Sequence, residues 1–229
     1  MIYSVHQPQY LPWIGFFDKI RKSDCFVFLD NVDYKHREYQ NRNRILTKSG
    51  PIWLTVPVHS HQGVKVRDVE IDNSRDWRQA HRRSMESCYA RASFFKRYFP
   101  ALEELYSRDW ERLMDLNVAI IEFLMKQFDI TTKILYESQL AVQGEKTERI
   151  LNIGKALGAD EYLSGQGGRD YLDAGSFERD RICLTYQEFS HPVYKQVFAE
   201  QCDNFIPFMS AVDLLFNEGP VSGDILKRC

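Results

Sequence analysis

The stretch His6 to Ile20, HQPQYLPWIGFFDKI, decides the fold. It begins where a short apolar strand, Ile2 to Val5, ends, turns through Pro8 and Pro12, and enters an amphipathic helix at about Trp13. A second strand, Cys25 to Leu29, follows almost at once and ends in Asp30. Strand, Pro-bearing loop, helix, strand is the plan of a βαβ unit, whose ligands sit at the carboxyl end of the first strand. His6 and Gln7 lie at that end, and the helix N-terminus beyond offers unpaired N–H groups to an anion.

Downstream, the order strand, helix, strand recurs: Thr131 to Tyr136, Lys146 to Leu157 closed by Gly158, then Asp160 to Leu163. Arg181 to Tyr186 reads as a last strand. Between the two halves, Ile52 to Val58 reads as a strand and Val64 to Ile71 as its return, a hairpin turning at His59 to Gly63. From Asp72 the period becomes helical. Ser74 and Ser93 are expected as N-caps, Pro100 as a break or restart, and Asp109 to Phe128 as a third helix. The expected architecture is α/β, a mainly parallel Rossmann-like sheet with a β-hairpin and a helical insertion at about 74–128, in one domain spanning 1–229. Ser210 is expected to cap a terminal helix carrying Asp213, which reads as a buried capping or salt-bridging residue before a catalytic one.

Composition narrows the function classes. With 44% hydrophobic residues the chain can build a core, and a net charge of −2 argues against a generic nucleic-acid or membrane-surface binder, local basic clusters aside. Five scattered cysteines without CxxC spacing suit a reducing cytoplasm. The opening MIYSVHQ lacks the pattern of a signal peptide, and no run approaches the roughly 18 apolar residues of a membrane span. His59 and His61 form an HxH pair without an evident third ligand, so they read as loop histidines and no metal is expected.

Two further segments look like anion-binding surface. In Lys35 to Lys48 the cations Lys35, Arg37, Arg42, Arg44 and Lys48 are interleaved with Asn41, Asn43 and tyrosines. Guanidinium forks hold phosphate through paired hydrogen bonds, and amides read sugar and base edges. The segment is too polar for a core strand, and a solvated loop is an equal reading. Ser164, Gly165, Gln166, Gly167 and Gly168 form a glycine-rich turn after a strand and before a helix, followed by Tyr171. Such a turn lets backbone N–H groups converge on an anion, though it also serves as an ordinary bend. Tyr194 and Lys195, after His191-Pro192, stand within reach of a site. No GxSxG, HExxH, Walker loop or GxGxxG appears. The residues therefore suggest a phosphorylated metabolite, with His6 as acid or base and Asp30 orienting it or binding a sugar hydroxyl.

HQPQYLPWIGFFDKI, FVFLDNVDY, QNRNRI, WLTVPV, YLSGQGG with Tyr171, YKQ and SAVDLLFNEG together resemble the WbqC-like family, from Met1 to about Gly219. The resemblance implies a role in bacterial O-antigen and surface-polysaccharide gene clusters, as a transferase placing glycine on an amino sugar. A nucleotide-linked amino sugar is then the substrate, and ATP or a charged tRNA the acyl activator. The start also looks like nucleotidylyltransferases and pantothenate-synthetase-like ligases, where histidines at this point bind ATP phosphates. This chain has Gln9 and Tyr10 where their second histidine would fall, with Tyr10 and Gln7 kept as substrate contacts. A nucleotidylyl or other sugar-nucleotide enzyme, and a non-catalytic nucleotide-sugar-binding module, are the alternatives.

Overall fold

The structure, a computed structural model, describes residues 1–199 and 204–229. Its strands and helices in chain order are β1 (Ile2–His6), α1 (Ile14–Arg21), β2 (Cys25–Phe28), β3 (Arg42–Thr47), β4 (Gly50–Thr55), β5 (Val58–His59), β6 (Glu70–Ile71), α2 (Trp77–Tyr89), α3 (Phe95–Ser107), α4 (Leu113–Gln127), β7 (Lys133–Tyr136), α5 (Lys146–Leu157), β8 (Glu161–Ser164), α6 (Ala174–Arg179), β9 (Cys183–Tyr186), α7 (Ala211–Glu218) and α8 (Ser222–Leu226). Five strands form one sheet in the order β7-β2-β1-β8-β9, and every pairing is parallel. The order reverses between β1 and β8, the point at which an open α/β sheet leaves a crevice.

Alternation along the strands divides the core. Tyr3, Val5, Cys25 and Val27 face one side, where they meet Ile150, Ile153 and Phe177 of α5 and α6. Phe26 and Phe28 face the other, against α1 and the helical segment. The central strands are buried on both faces, which is why β2 reads as an unbroken apolar run. On the α5 side the approach is close. The Tyr3 hydroxyl donates to the Ile150 carbonyl at 2.8 Å, and a Cβ on Gly154 would stand 2.6 Å from its oxygen. Only glycine leaves room there for the phenol.

The predicted hairpin is displaced. Its first strand pairs backward, β3 with β4 from Arg42↔Thr55 to Thr47↔Gly50, and Lys48-Ser49 make the turn. Gly50, at φ +105, supplies the left-handed residue. Of the expected pairing between Ile52 to Val58 and Val64 to Ile71, only Val58↔Ile71 and His59↔Glu70 exist. The run Arg42–Thr47 is a strand despite its polarity, because Asn43 behaves as a core residue. Its amide donates to the carbonyls of Leu11 (2.7 Å) and Tyr10 (3.3 Å), and its oxygen accepts the Arg44 N–H.

Among the helices, α2 is capped by Asp76, not Ser74, through the Gln79 N–H. Ser93 does not cap α3, and that helix runs through Pro100 unbroken. Ser210 does cap α7. Of the five cysteines, Cys202 lies outside the described residues; Cys25, Cys88, Cys183 and Cys229 are free thiols.

Asp213 ties the helical segment to the C-terminal segment. Fully buried, its carboxylate accepts from the hydroxyls of Tyr89 and Tyr194 and from the Gln196 amide, each at 2.8 Å. Burial pushes its carboxyl up from the ordinary range, while the three donors pull it down. Truncating it would remove the acceptor of two buried phenols and of one N–H of the Gln196 amide. Asp213→Ala is expected to lower unfolding free energy in urea titration by about 3 kcal/mol, and Asp213→Asn by less.

Candidate functional site at the carboxyl end of the sheet

Where the strand order reverses, a cavity of about 400 Å³ opens between the end of β1, the first turns of α1 and the turn after β8. His6, Lys19, Gly165, Gln166 and Gly167 line it, and Trp13, Phe189 and Phe208 form an aromatic rim. Sequence reasoning placed His6 and the glycine turn here; it missed Lys19, Gln187 and the rim.

His6 ends β1 on the α1 face, its ring edge-on to Phe16 at 5.4 Å. Its Nδ1–H donates to the Gln7 carbonyl at 2.9 Å, because a carbonyl only accepts. Nε2 therefore carries the lone pair. Burial, reinforced by the nearby Lys19 cation, drives the imidazole pKa down to about 3. His6 is thus a hydrogen-bond acceptor near neutrality and does not hold a second proton.

Lys19 is the group that titrates. It sits inside α1, 5% exposed, where Ile14, Gly15, Phe16, Phe17, Asp18 and Ile20 are buried too. Its ammonium nitrogen donates to the Val5 carbonyl at 3.0 Å and lies 5.7 Å from the centre of the Phe26 ring. Burial lowers its pKa to about 7. A Cβ on Gly165 would come within 3.9 Å of the amine. The neighbouring Asp18 carboxylate is instead engaged by Arg21 (2.8 Å), Lys22 (2.9 Å) and the Gln187 amide (2.8 Å).

The remaining expected residues are divided among other places. Gln7, Lys35 and Tyr171 line a second cavity of about 370 Å³ that also takes in Lys65, Lys146 and Arg149. Ser164 is buried at the end of β8, its hydroxyl donating to the Gly165 carbonyl, and Gly168 packs so tightly on it that a Cβ would stand 2.0 Å from that oxygen. Asp30 reaches neither cavity. Its two oxygens accept the Ser138 N–H and O–H, so it fastens the end of β2 to the segment after β7. Tyr10 is fully buried, its hydroxyl joined to His81 (2.8 Å) and Tyr106. Asn41 donates to the Val56 carbonyl, Tyr194 belongs to the Asp213 cluster, and Lys195 is exposed. Arg37 is exposed; Arg42 and Arg44 stack at Trp53 on the β3–β4 hairpin, and Lys48 lines a third, larger cavity beside α2. Among the described residues no cluster of three or more metal-ligating side chains occurs, and no helix is long and apolar enough to cross a membrane.

A parallel sheet whose order turns back on itself, with a cavity at that turn, defines a Rossmann-like α/β protein, and the strand ends are where such sheets place their ligand crevices. The chain belongs to the WbqC-like protein family, whose profile matches residues 7–225. It is 34% identical over 232 residues to the Mycobacterium tuberculosis protein Rv1507c, itself uncharacterized, covering 99% of this chain and 97% of that one. No solved structure matches.

The lysine carries a measurable consequence. A folded-state pKa below the ordinary lysine value means that the unfolded chain binds more protons between the two. Stability is therefore expected to rise with pH from about 7 toward the ordinary lysine range. Lys19→Met should remove that slope from thermal unfolding curves and raise Tm at pH 6, where the native amine is charged and buried. A slope unchanged in Lys19→Met would place the titration elsewhere.

Proposed function

We propose that the chain is a transferase that places glycine, or another small acyl group, on the amine of a nucleotide-linked amino sugar, in the cytoplasmic steps of bacterial surface-polysaccharide synthesis. Membership of the WbqC-like family supports it. The observation that carries it is that Lys19 and His6, with its Nε2 lone pair, line one cavity of about 400 Å³.

Acyl transfer to an amine needs three things. The acceptor ammonium must lose a proton, the carbonyl oxygen must be stabilised as charge develops, and the leaving oxygen must gain a proton. An amine with a pKa near 7 suits the first and third, since both of its protonation states are populated at neutral pH. The imidazole does not, because its conjugate acid is too strong. His6 Nε2 instead accepts a hydrogen bond from the incoming amine and aims it. Gly165 and Gly167 bring backbone to the cavity with no side chain of their own, and the Gln166 amide between them is held by the Gln187 carbonyl. In the transfer the sugar nitrogen bonds to the acyl carbon, the donor C–O bond breaks, and the ammonium proton passes through Lys19 to the departing oxygen. The donor must already be activated, as an adenylate made from ATP or as an ester on a charged tRNA.

The test is incubation with a dTDP-4-amino-4,6-dideoxyhexose, with glycine and ATP in one arm and glycyl-tRNA in the other, read by mass spectrometry. One glycyl residue is expected on the sugar. Lys19→Met should reduce the rate by roughly 10³-fold, within the usual range for losing a proton-transfer group. The wild-type kcat should climb as pH rises through about 7, as the free amine forms. Absence of the adduct with every donor would remove the reading. Pyrophosphate release with a sugar phosphate and no amide would replace it by nucleotidylyl transfer.

A further inference from the structure

The outer face of the β3–β4 hairpin is built unlike the rest of the surface. Of the four tryptophans only Trp53 is exposed, at 44%. The Arg42 guanidinium lies 4.4 Å from the centre of its ring and that of Arg44 5.8 Å, while Tyr39, 38% exposed, stands 5.8 Å away. The Nε atoms of both arginines are shielded and have no hydrogen-bond partner among the described residues. Between residues 36 and 53 four cations, Arg37, Arg42, Arg44 and Lys48, face one acid, Glu38, in a chain of net charge −2. The groove of about 700 Å³ behind the hairpin turn continues this character. Arg83 and Arg91 line it with the hydroxyls of Ser84 and Ser87, and no carboxylate does among the described residues.

This face leads to the site. Arg44 donates to the Phe208 carbonyl at 3.3 Å and accepts the Ser210 N–H at 2.9 Å, and Phe208 is part of the rim of the His6–Lys19 cavity. Open aromatic rings among arginines are the surface that single-stranded nucleic acid takes. Unpaired bases stack on the rings and guanidinium planes while the cations follow the phosphates. A mononucleotide would use one ring and one or two cations. The hairpin and groove offer charge over several side chains on either side of Trp53.

We infer that the hairpin face and the groove beside α2 bind the single-stranded end of an RNA, directing its 3′ terminus over Phe208 into the His6–Lys19 cavity. Resting on the transferase reading, this identifies the acyl donor as an aminoacyl ester on a 3′-terminal ribose. The sugar amine displaces the ribose hydroxyl: the new N–C bond forms, the ester C–O bond breaks, and the proton from nitrogen ends on the ribose oxygen. The ester is already activated, so ATP is not consumed.

The experiment measures fluorescence anisotropy of a labelled single-stranded RNA of about 15 nucleotides ending in CCA, from 50 to 200 mM salt. Saturable binding is expected, weakening steeply with salt. Trp53→Ala should raise Kd by about tenfold, with Trp53→Phe restoring much of it, and Arg83→Gln/Arg91→Gln should flatten the salt dependence. Circular dichroism checks that each variant is folded. No saturable binding at 50 mM salt, or Trp53→Ala and Arg83→Gln/Arg91→Gln both binding as wild type, overturns the inference. Glycyl transfer from ATP and glycine without RNA binding would also overturn it, and would leave the transferase reading standing. RNA binding that depends on Trp53, with no transfer from any donor, would uphold the surface and remove the transferase.

Discussion

Helix α1 has no side that faces water. Seven consecutive residues, Ile14 to Ile20, are buried between the sheet and the helical segment. Every polar group on such a helix must find its partner inside the protein or lose several kcal/mol of solvation. Asp18 finds three. Lys19 finds one, the Val5 carbonyl one residue before the end of β1, and an ammonium has three protons to donate. The imbalance leaves the amine on the cavity at the strand ends, and burial makes its neutral form accessible at ordinary pH. A helix with an exposed face would have let Lys19 extend into water, and no titrating group would stand beside His6.

Rigidity around that point has identifiable sources. The Ser23 hydroxyl lies 2.8 Å from both the Lys19 carbonyl and the Ser4 hydroxyl, and Ser4 donates to the Leu163 carbonyl, so α1, β1 and β8 are linked. Asp30 and Ser138 lock the neighbouring pair of strand ends. Gln187 spans the top, from the segment after β9 to the Gly15 carbonyl and Asp18. These are hydrogen bonds of order 1 kcal/mol each, more where a carboxylate accepts. Their effect is less on total stability than on the position of a few atoms, where errors of an ångström matter for group transfer.

The sheet was legible because short apolar runs alternating with a helical period admit few topologies, and Ile2 to Leu29, with HQPQYLPWIGFFDKI between its two apolar runs, carries both signals. The polar interior was not. Composition cannot distinguish an asparagine that binds substrate from one that, like Asn43, saturates the carbonyls of a buried loop. The same holds for Tyr10 and Tyr194, whose hydroxyls end on other side chains in the core. Asp30 sat at the expected strand end, but its partner, Ser138, is 108 residues away and gave no local sign. Lys19 did leave a sign, a lysine among phenylalanines on the buried stripe of a helix. A period-based reading treats it as the polar face.

The two cavities follow from the same alternation that divides the core. His6 and Gln7 are consecutive at the end of β1, and consecutive side chains leave an extended strand on opposite faces. One lines the space beside α1, the other the space beside α5, where Lys35, Lys146 and Tyr171 gather. A single crevice would have to hold acceptor and donor side by side. Under the proposed reaction, two crevices on either side of the β1 end would let the phosphates of a nucleotide-linked sugar lie against Lys35 and Lys146, in a cavity that Asp33 and Glu145 also line, while its amine reaches Lys19 in the other. The donor then enters past Phe208 without competing for the same volume. Under the proposed reaction, the strand end is the hinge between two substrates, and its short side chains and fixed carbonyls set the distance between them.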